Sequence, residues 1–207
     1  TQDPYDPSLW SEILPDSKLL FQIQPQAIPL NFNRYPYPVF DTLSLEANQI
    51  AYLQPSSPNE TWLTAASRLQ ASLGQIAQYR ALETRVIDSA TKAKPTERLI
   101  VIGTPTQQSL LTQLKLPLTI KNQQLLDANQ TPLSADTGVL MLVASGKTPV
   151  LVATGNSDTA VAKAVRFLVQ SDRKLATGSM ILVNELTEPA SPNPRDWQGY
   201  LPAAELK

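Results

Sequence analysis

Two strand-to-helix turns carry the residues best placed to do chemistry. RLIVIG at 98–103 runs into Thr104, Pro105, Thr106 and Gln107, and PVLVATG at 149–155 runs into Asn156, Ser157, Asp158 and Thr159. A buried strand, a small-residue turn and a helix start are the parts of a phosphate cradle, because the first free N–H groups of a helix attract anions. Gly103, Thr104, Gly155, Asn156 and Ser157 are therefore the candidate ligand-loop residues. Neither turn carries G-x-G-x-x-G, and Asp158 would oppose a phosphate at the second. Capping accounts for the same residue types. Thr104 can start one helix and Asn156 or Ser157 the other, with Asp158 favourable to the helix dipole. The residues favour capping over ligand binding.

Other groups carry less. GKT at 146–148 ends like a Walker A loop, but the required glycine position holds Met141 and a strand follows instead of a helix. Lys147 reads as the exposed tip of a hairpin. Asp88 and Glu185 stand at predicted strand ends and could pair as acid and base, with nothing in the sequence to bring them together. Trp62 falls on a core face, whereas Trp197 and Tyr200 are candidates for glycan stacking or for docking the C-terminal tail. The chain has no histidine and no cysteine. That excludes Ser-His-Asp triads, thiolate nucleophiles, and metal sites built on imidazole or thiolate. The expectation is a non-enzyme with no catalytic residue, no metal and no cofactor.

The elements that would position these turns follow from patterning. At 207 residues with 42% hydrophobic content the chain can bury a core without staples. A net charge of -1 leaves no electrostatic footprint for nucleic acid. Residues 1–48 read as an arm and a proline-rich strap, with KLLFQIQ at 18–24 as a half-buried strand. Residues 49–185 read as the α/β domain and 186–207 as a proline-rich linker. QIAYLQ at 49–54 is a short buried strand. The helix predicted over 57–79 has Ser57 at its N-cap, Pro58 at N1 and Glu60 at N3. Its apolar face is Trp62, Ala66, Leu69, Leu73 and Ile76, with Gly74 admitting a close packing contact.

ETRVID at 83–88 and RLIVIG at 98–103 are the next strands. Thr104, Pro105 and Gln107 then repeat the capping device for a helix carrying Leu110, Leu111 and Leu114. LTIKNQQLLDANQTPLSAD at 118–136 is polar with short alternations and reads as a small hairpin or an excursion. GVLMLVAS at 138–145 and PVLVATG are too close for a parallel crossover, so they form an antiparallel hairpin at about 138–155. A helix over 157–170 buries Ala160, Ala164, Val165 and Leu168, and GSMILVN at 178–184 is the last strand. The fold class is α/β: a flavodoxin-like sandwich with a mostly parallel, mixed sheet. The longest apolar run, VLMLVA at 139–144, is far short of the ~20 residues that span a bilayer.

The order of these parts resembles a family. LNFNRYPYPVFD, a helix ending in ASLGQIAQY, then RLIVIGTPTQ and GVLMLVASGKTPVLVATGNSDTAVAKAVRFL, is similar to the α/β domains of the bacterial cellulose synthase regulatory subunit, the periplasmic B subunit. The resemblance covers roughly 30–185, most specifically 98–170. It implies a non-catalytic scaffold domain that positions neighbouring carbohydrate-binding modules and helps guide the secreted glucan. It implies as partner the membrane-embedded cellulose synthase catalytic subunit. It also implies a periplasmic or envelope location, with signal and membrane anchor outside this chain. The rival expectations are a nucleotide- or flavin-binding domain using the turns at 103–107 and 155–159, and a stand-alone carbohydrate-binding module using Trp197 and Tyr200.

Overall fold

The computed structural model describes residues 14–18, 20, 22, 28–170 and 177–184. The arm before residue 14, most of the predicted strand at 18–24, Glu185, and the tail with Trp197 and Tyr200 lie outside the described residues.

Continuous apolar runs make the inner strands, as expected where both faces of a sheet are covered, while the edge strand LETRVI at 82–87 is largely polar and exposed. The strands are β1 (Asn48–Leu53), β2 (Leu82–Ile87), β3 (Arg98–Ile102), β6 (Gly138–Ser145), β7 (Thr148–Gly155) and β8 (Met180–Val183). They form one sheet in the order β2-β1-β3-β7-β6-β8. β2, β1, β3 and β7 are mutually parallel; β6 is antiparallel to both β7 and β8. The β6–β7 hairpin closes through Gly146 and Lys147, with Ser145 paired to Thr148. Gly146, at φ +61°, occupies the first loop position, where a type II′ turn needs glycine. A separate antiparallel pair, β4 (Thr119–Lys121) and β5 (Gln124–Leu126), resolves the segment 118–136 as a hairpin, one of the two alternatives its sequence left open.

One face of the sheet is covered by α1 (Glu60–Ala77) and α2 (Asp158–Val169). Trp62, Leu69 and Leu73 of α1 and Val161, Val165 and Leu168 of α2 pack there on Tyr52, Ile100, Leu140 and Leu151. The strap adds Phe32, Val39 and Phe40 to the same core, all nearly inaccessible. It is not extended throughout, as its prolines suggested. Asn31 caps a 3-10 turn over Phe32–Arg34 by accepting from the Asn33 N–H at 3.1 Å. The other face carries the β4–β5 hairpin and short 3-10 turns, burying Leu110, Leu111 and Leu125 against Leu99, Val101, Met141 and Val152. The β1–α1–β2 and β7–α2–β8 crossovers leave parallel strands toward opposite edges, yet both lay their helix on one face. The two crossovers therefore have opposite hands, in a class of connection that is right-handed in about 98% of cases.

Three local expectations need correction. The N-cap of α1 is Asn59, whose side chain accepts the Trp62 N–H at 2.9 Å, and not Ser57. Asn59 is the stronger cap because its oxygen reaches the N3 amide while Pro58 stays outside the helix. Gly74 meets no close neighbour; a Cβ there would have open space within 4 Å. The helix expected after Thr104 does not propagate. The N–H groups of Gln107 and Gln108 both donate to the Thr104 carbonyl, at 3.0 Å each, and the next element is only a 3-10 turn over Ser109–Thr112. Gln107 Oε1 does accept the Thr104 N–H at 3.0 Å, which is half of a capping box. The other half is missing because the Gln107 N–H is spent on the Thr104 carbonyl, while Thr104 Oγ1 bonds Thr106 Oγ1. Pro117 lies close downstream and disfavours a helical Leu116, so there is little room for recovery.

The link from β2 to β3 is held by an ion pair. Arg85 Nη2 donates to Glu97 Oε2 at 2.8 Å and to the Lys92 carbonyl at 2.6 Å, and the Lys94 N–H donates to Glu97 Oε2 at 2.7 Å. Glu97 is only 3% exposed. The hydrogen bond from Arg85 holds its carboxyl below the ordinary glutamate range, against the opposing effect of burial. A lowered folded-state pKa means stabilisation that is full above the unfolded value and lost as pH falls through the folded one. Thermal unfolding of Glu97→Gln should therefore lie below wild type near neutral pH and converge with it in acid. Parallel pH curves for the two proteins would contradict this account.

Candidate functional site

The turns at 103–107 and 155–159 lie side by side at the carboxyl ends of β3 and β7, with the Gly103 N–H donating to the Ala153 carbonyl at 3.1 Å. Gly103 takes φ +139°, a conformation that favours glycine, and Gln107 and Gln108 fill the space beside it. The node between the turns is Asp158. Its carboxylate accepts from Gln107 Nε2 at 2.9 Å and from Asn59 Nδ2 at 2.7 Å, so the entrance of each helix is tied to the turn after β3. A carboxylate at the first turn of α2 also complements the helix dipole.

The remaining loop candidates have their polar groups engaged within the chain. Ser157 Oγ accepts the Ala160 N–H at 3.0 Å, making it the cap of α2, and donates to the Ala135 carbonyl. Asn156 does not cap. Its Oδ1 accepts the Leu125 N–H at 2.7 Å, and its Nδ2 donates to the carbonyls of Leu125 and Leu133 at 3.0 and 2.9 Å. It pins the β4–β5 hairpin to the end of β7. Gly155 sits directly under Ala160. Thr104 is buried, its hydroxyl on Thr106.

Beside this node a cleft of about 360 Å³ opens at the ends of β1, β2 and β3, lined among others by Gln54, Ser56, Ser89, Ser109 and Gln113. Asp88 is on its wall, exposed and paired with Lys92 Nζ at 2.8 Å. The hydrogen bond from Lys92 holds the Asp88 carboxyl below its ordinary range. Gln108 seals the base: its Nε2 donates to the carbonyls of Leu53 and Ile102 at 3.0 and 2.9 Å. Asn59 and Gln108 are the positions that sequence reasoning missed. Asn59 stood directly before the helix as a cap-type residue but was eclipsed by Ser57–Pro58. Nothing local marks Gln108, whose partner on β1 is 55 residues away.

Glu185, Trp197 and Tyr200 are outside the described residues, so the Asp88–Glu185 pair and the tail stacking have no geometry. Trp62 is core, 6% exposed. Among the described residues no group of acids could hold a metal ion, and no helix is long and apolar enough to cross a membrane.

Residues 31–183 match the family model for "Cellulose synthase BcsB, first FD domain". The chain is also 29% identical over 79 residues to a cyclic di-GMP-binding protein of Pseudomonas fluorescens (strain SBW25). That likeness takes in 38% of this chain and 10% of the relative's length.

Proposed function

The chain belongs to the family of the first FD domain of cellulose synthase BcsB, and from that premise we propose that it is a non-catalytic scaffold domain of a cellulose synthase regulatory subunit. It would hold carbohydrate-binding modules in place beside the membrane-embedded catalytic subunit and help guide the glucan on the periplasmic side. The observation that carries this reading beyond family membership is the Asp158 node. At the strand ends where α/β sheets bind cofactors, amides and a carboxylate of the chain bond one another. We also read the fold as a flavodoxin-like variant. Without β6, the strand order becomes the 2-1-3-4-5 of that class. The departure is α2, which lies on the face of α1.

A second reading, nucleotide binding, comes from the name of the Pseudomonas relative. The electrostatics disfavour it, because at the turns a phosphate would meet the Asp158 carboxylate, and in the cleft the one charged lining residue is Asp88, with no lysine or arginine in the lining. Two measurements test the proposal. Replacing residues 31–183 by a flexible linker in the full-length protein should abolish glucan output while the catalytic subunit stays in the membrane. Undiminished output would refute the scaffold role. Flavin mononucleotide and cyclic di-GMP should leave the melting temperature of the chain unchanged, and a saturable upward shift with either would favour the nucleotide reading.

A further inference from the structure

The cleft at the ends of β1, β2 and β3 follows from how the chain leaves the sheet. After β1 it turns onto the helical face to begin α1; after β3 it turns onto the opposite face, where Leu110 and Leu111 pack. The connections of these two neighbouring strands therefore part, and a crevice opens between them, the general place for ligands in open α/β sheets. At about 360 Å³ it is at the small end of ligand pockets.

Its chemistry is specific in what it lacks. The lining offers hydroxyls and amides from Gln54, Ser56, Ser109 and Gln113 over a base of Leu53, Leu110 and the engaged Gln108 amide, while the Ser89 and Thr106 hydroxyls are already bonded to Thr91 and Thr104. The one charged side chain on the lining is Asp88, neutralised by Lys92 at 2.8 Å. The lining itself holds no lysine or arginine, and the Lys92 ammonium beside it is already committed to Asp88, so a phosphate would have to compete with that carboxylate for its only cation there. A glutamine amide supplies both a donor and an acceptor, as a sugar hydroxyl does, so the two match in pairs without any charge. No aromatic ring lines the cleft, so a sugar would be held by its hydroxyl edges and not by stacking on its face.

We propose that this cleft is a binding site for a neutral, polyhydroxylated ligand: one or two sugar units at the end of a glucan. The choice of glucan rests on the scaffold reading above; the neutrality of the ligand rests on the lining alone. Hydrogen bonds to water-exposed partners each contribute little, so the affinity is weak, with a Kd of roughly millimolar order.

The test is an amide-resonance titration of the isotope-labelled 207-residue chain with cellotriose. Saturable shifts are expected at residues 54–56, 88–91 and 106–113. The double variant Gln54→Ala/Gln113→Ala should weaken binding about tenfold, the loss expected for one or two hydrogen bonds. Neither side chain has a hydrogen-bond partner among the described residues, so the variant should fold as wild type does. Inorganic phosphate and cyclic di-GMP should leave the cleft amides unmoved. The proposal falls if cellotriose gives no saturable shift up to roughly tens of millimolar. It falls equally if the shifts lie elsewhere, if the double variant binds as wild type, or if either anion takes the cleft. Glucan output from the linker replacement involves no added sugar, so the scaffold reading stands or fails separately.

Discussion

Gly138→Ala should destabilise the protein by about 3 kcal/mol, the upper end for overpacking a filled core. For a chain of this size that lowers the melting temperature by roughly 6–12 °C. Gly138 opens β6, Gly155 closes β7, and the two are cross-strand partners. Both lie beneath the first turns of α2. A Cβ on Gly138 would stand 2.7 Å from the Ala160 carbonyl oxygen and 2.8 Å from the Ala164 amide nitrogen. These are backbone atoms of a helix and cannot rotate away, so α2 would have to lift. Lifting it loosens Ala160, Val161, Ala164, Val165 and Leu168, all buried on this face. Gly74→Ala is the matched control. It lies inside α1 with no atom within 4 Å of a new Cβ, so the substitution should stabilise by about 1 kcal/mol through helix propensity alone. A Gly138→Ala melting within 1–2 °C of wild type, about 0.5 kcal/mol, would mean that α2 does not rest on the glycine pair.

The contrast between these glycines illustrates what sequence can carry. Gly74 is conspicuous because a glycine inside a helical pattern suggests a packing role, yet nothing packs against it. Gly138 and Gly155 begin and end apolar runs, where a glycine reads as a strand boundary. Close approach depends on what crosses over the sheet, and here that is a helix from later in the chain. The strands were legible because LIVI, VLMLV and VLVA are buried on both faces, which leaves continuous apolar runs. The β6–β7 hairpin was legible because its link is too short for any other connection. Strand order was not legible, nor was the opposite hand of the two crossovers. Both depend on which face each connection chooses, and that is settled by packing between distant segments.

The candidate site divides in the same way. Ser157 and Asp158 carry local capping signals, and the first is the cap of α2. That Asp158 also binds Gln107 and Asn59 requires contacts over 51 and 99 residues. The repeated Thr-Pro-x-Gln and Ser-Pro-x-Glu devices looked alike in sequence and differ in outcome. After Pro58 a further cap-type residue, Asn59, begins eighteen residues of helix. After Pro105 the chain makes one turn, because Gln108 is drawn down onto the strand-end carbonyls of β1 and β3. A local start signal is only as good as the next turn's freedom to follow it.

Asn156→Ala should detach the β4–β5 hairpin from the end of β7 at a cost of about 3 kcal/mol. Asn156 acts as a surrogate strand for β5, offering one acceptor and two donations to backbone groups of Leu125 and Leu133. Leu125 is fully buried, so its N–H is left without a partner when the amide is removed. Leaving a buried backbone donor unpaired costs about 1–3 kcal/mol, and the Leu133 carbonyl loses a partner as well. The Leu125 carbonyl is less affected, because the Leu133 N–H still donates to it at 2.9 Å. Hydrogen exchange at the Leu125 amide is the direct readout, and protection should fall about 100-fold, the equivalent of roughly 3 kcal/mol. Asn156→Asp separates volume from hydrogen bonding. It keeps the shape and can still accept from Leu125, but it turns a carboxylate toward two carbonyl oxygens, so it should be no more stable than the alanine variant. If Asn156→Asp instead retained wild-type protection at Leu125, the two donations would contribute nothing. The hairpin would then be held by Leu125 and its apolar neighbours alone.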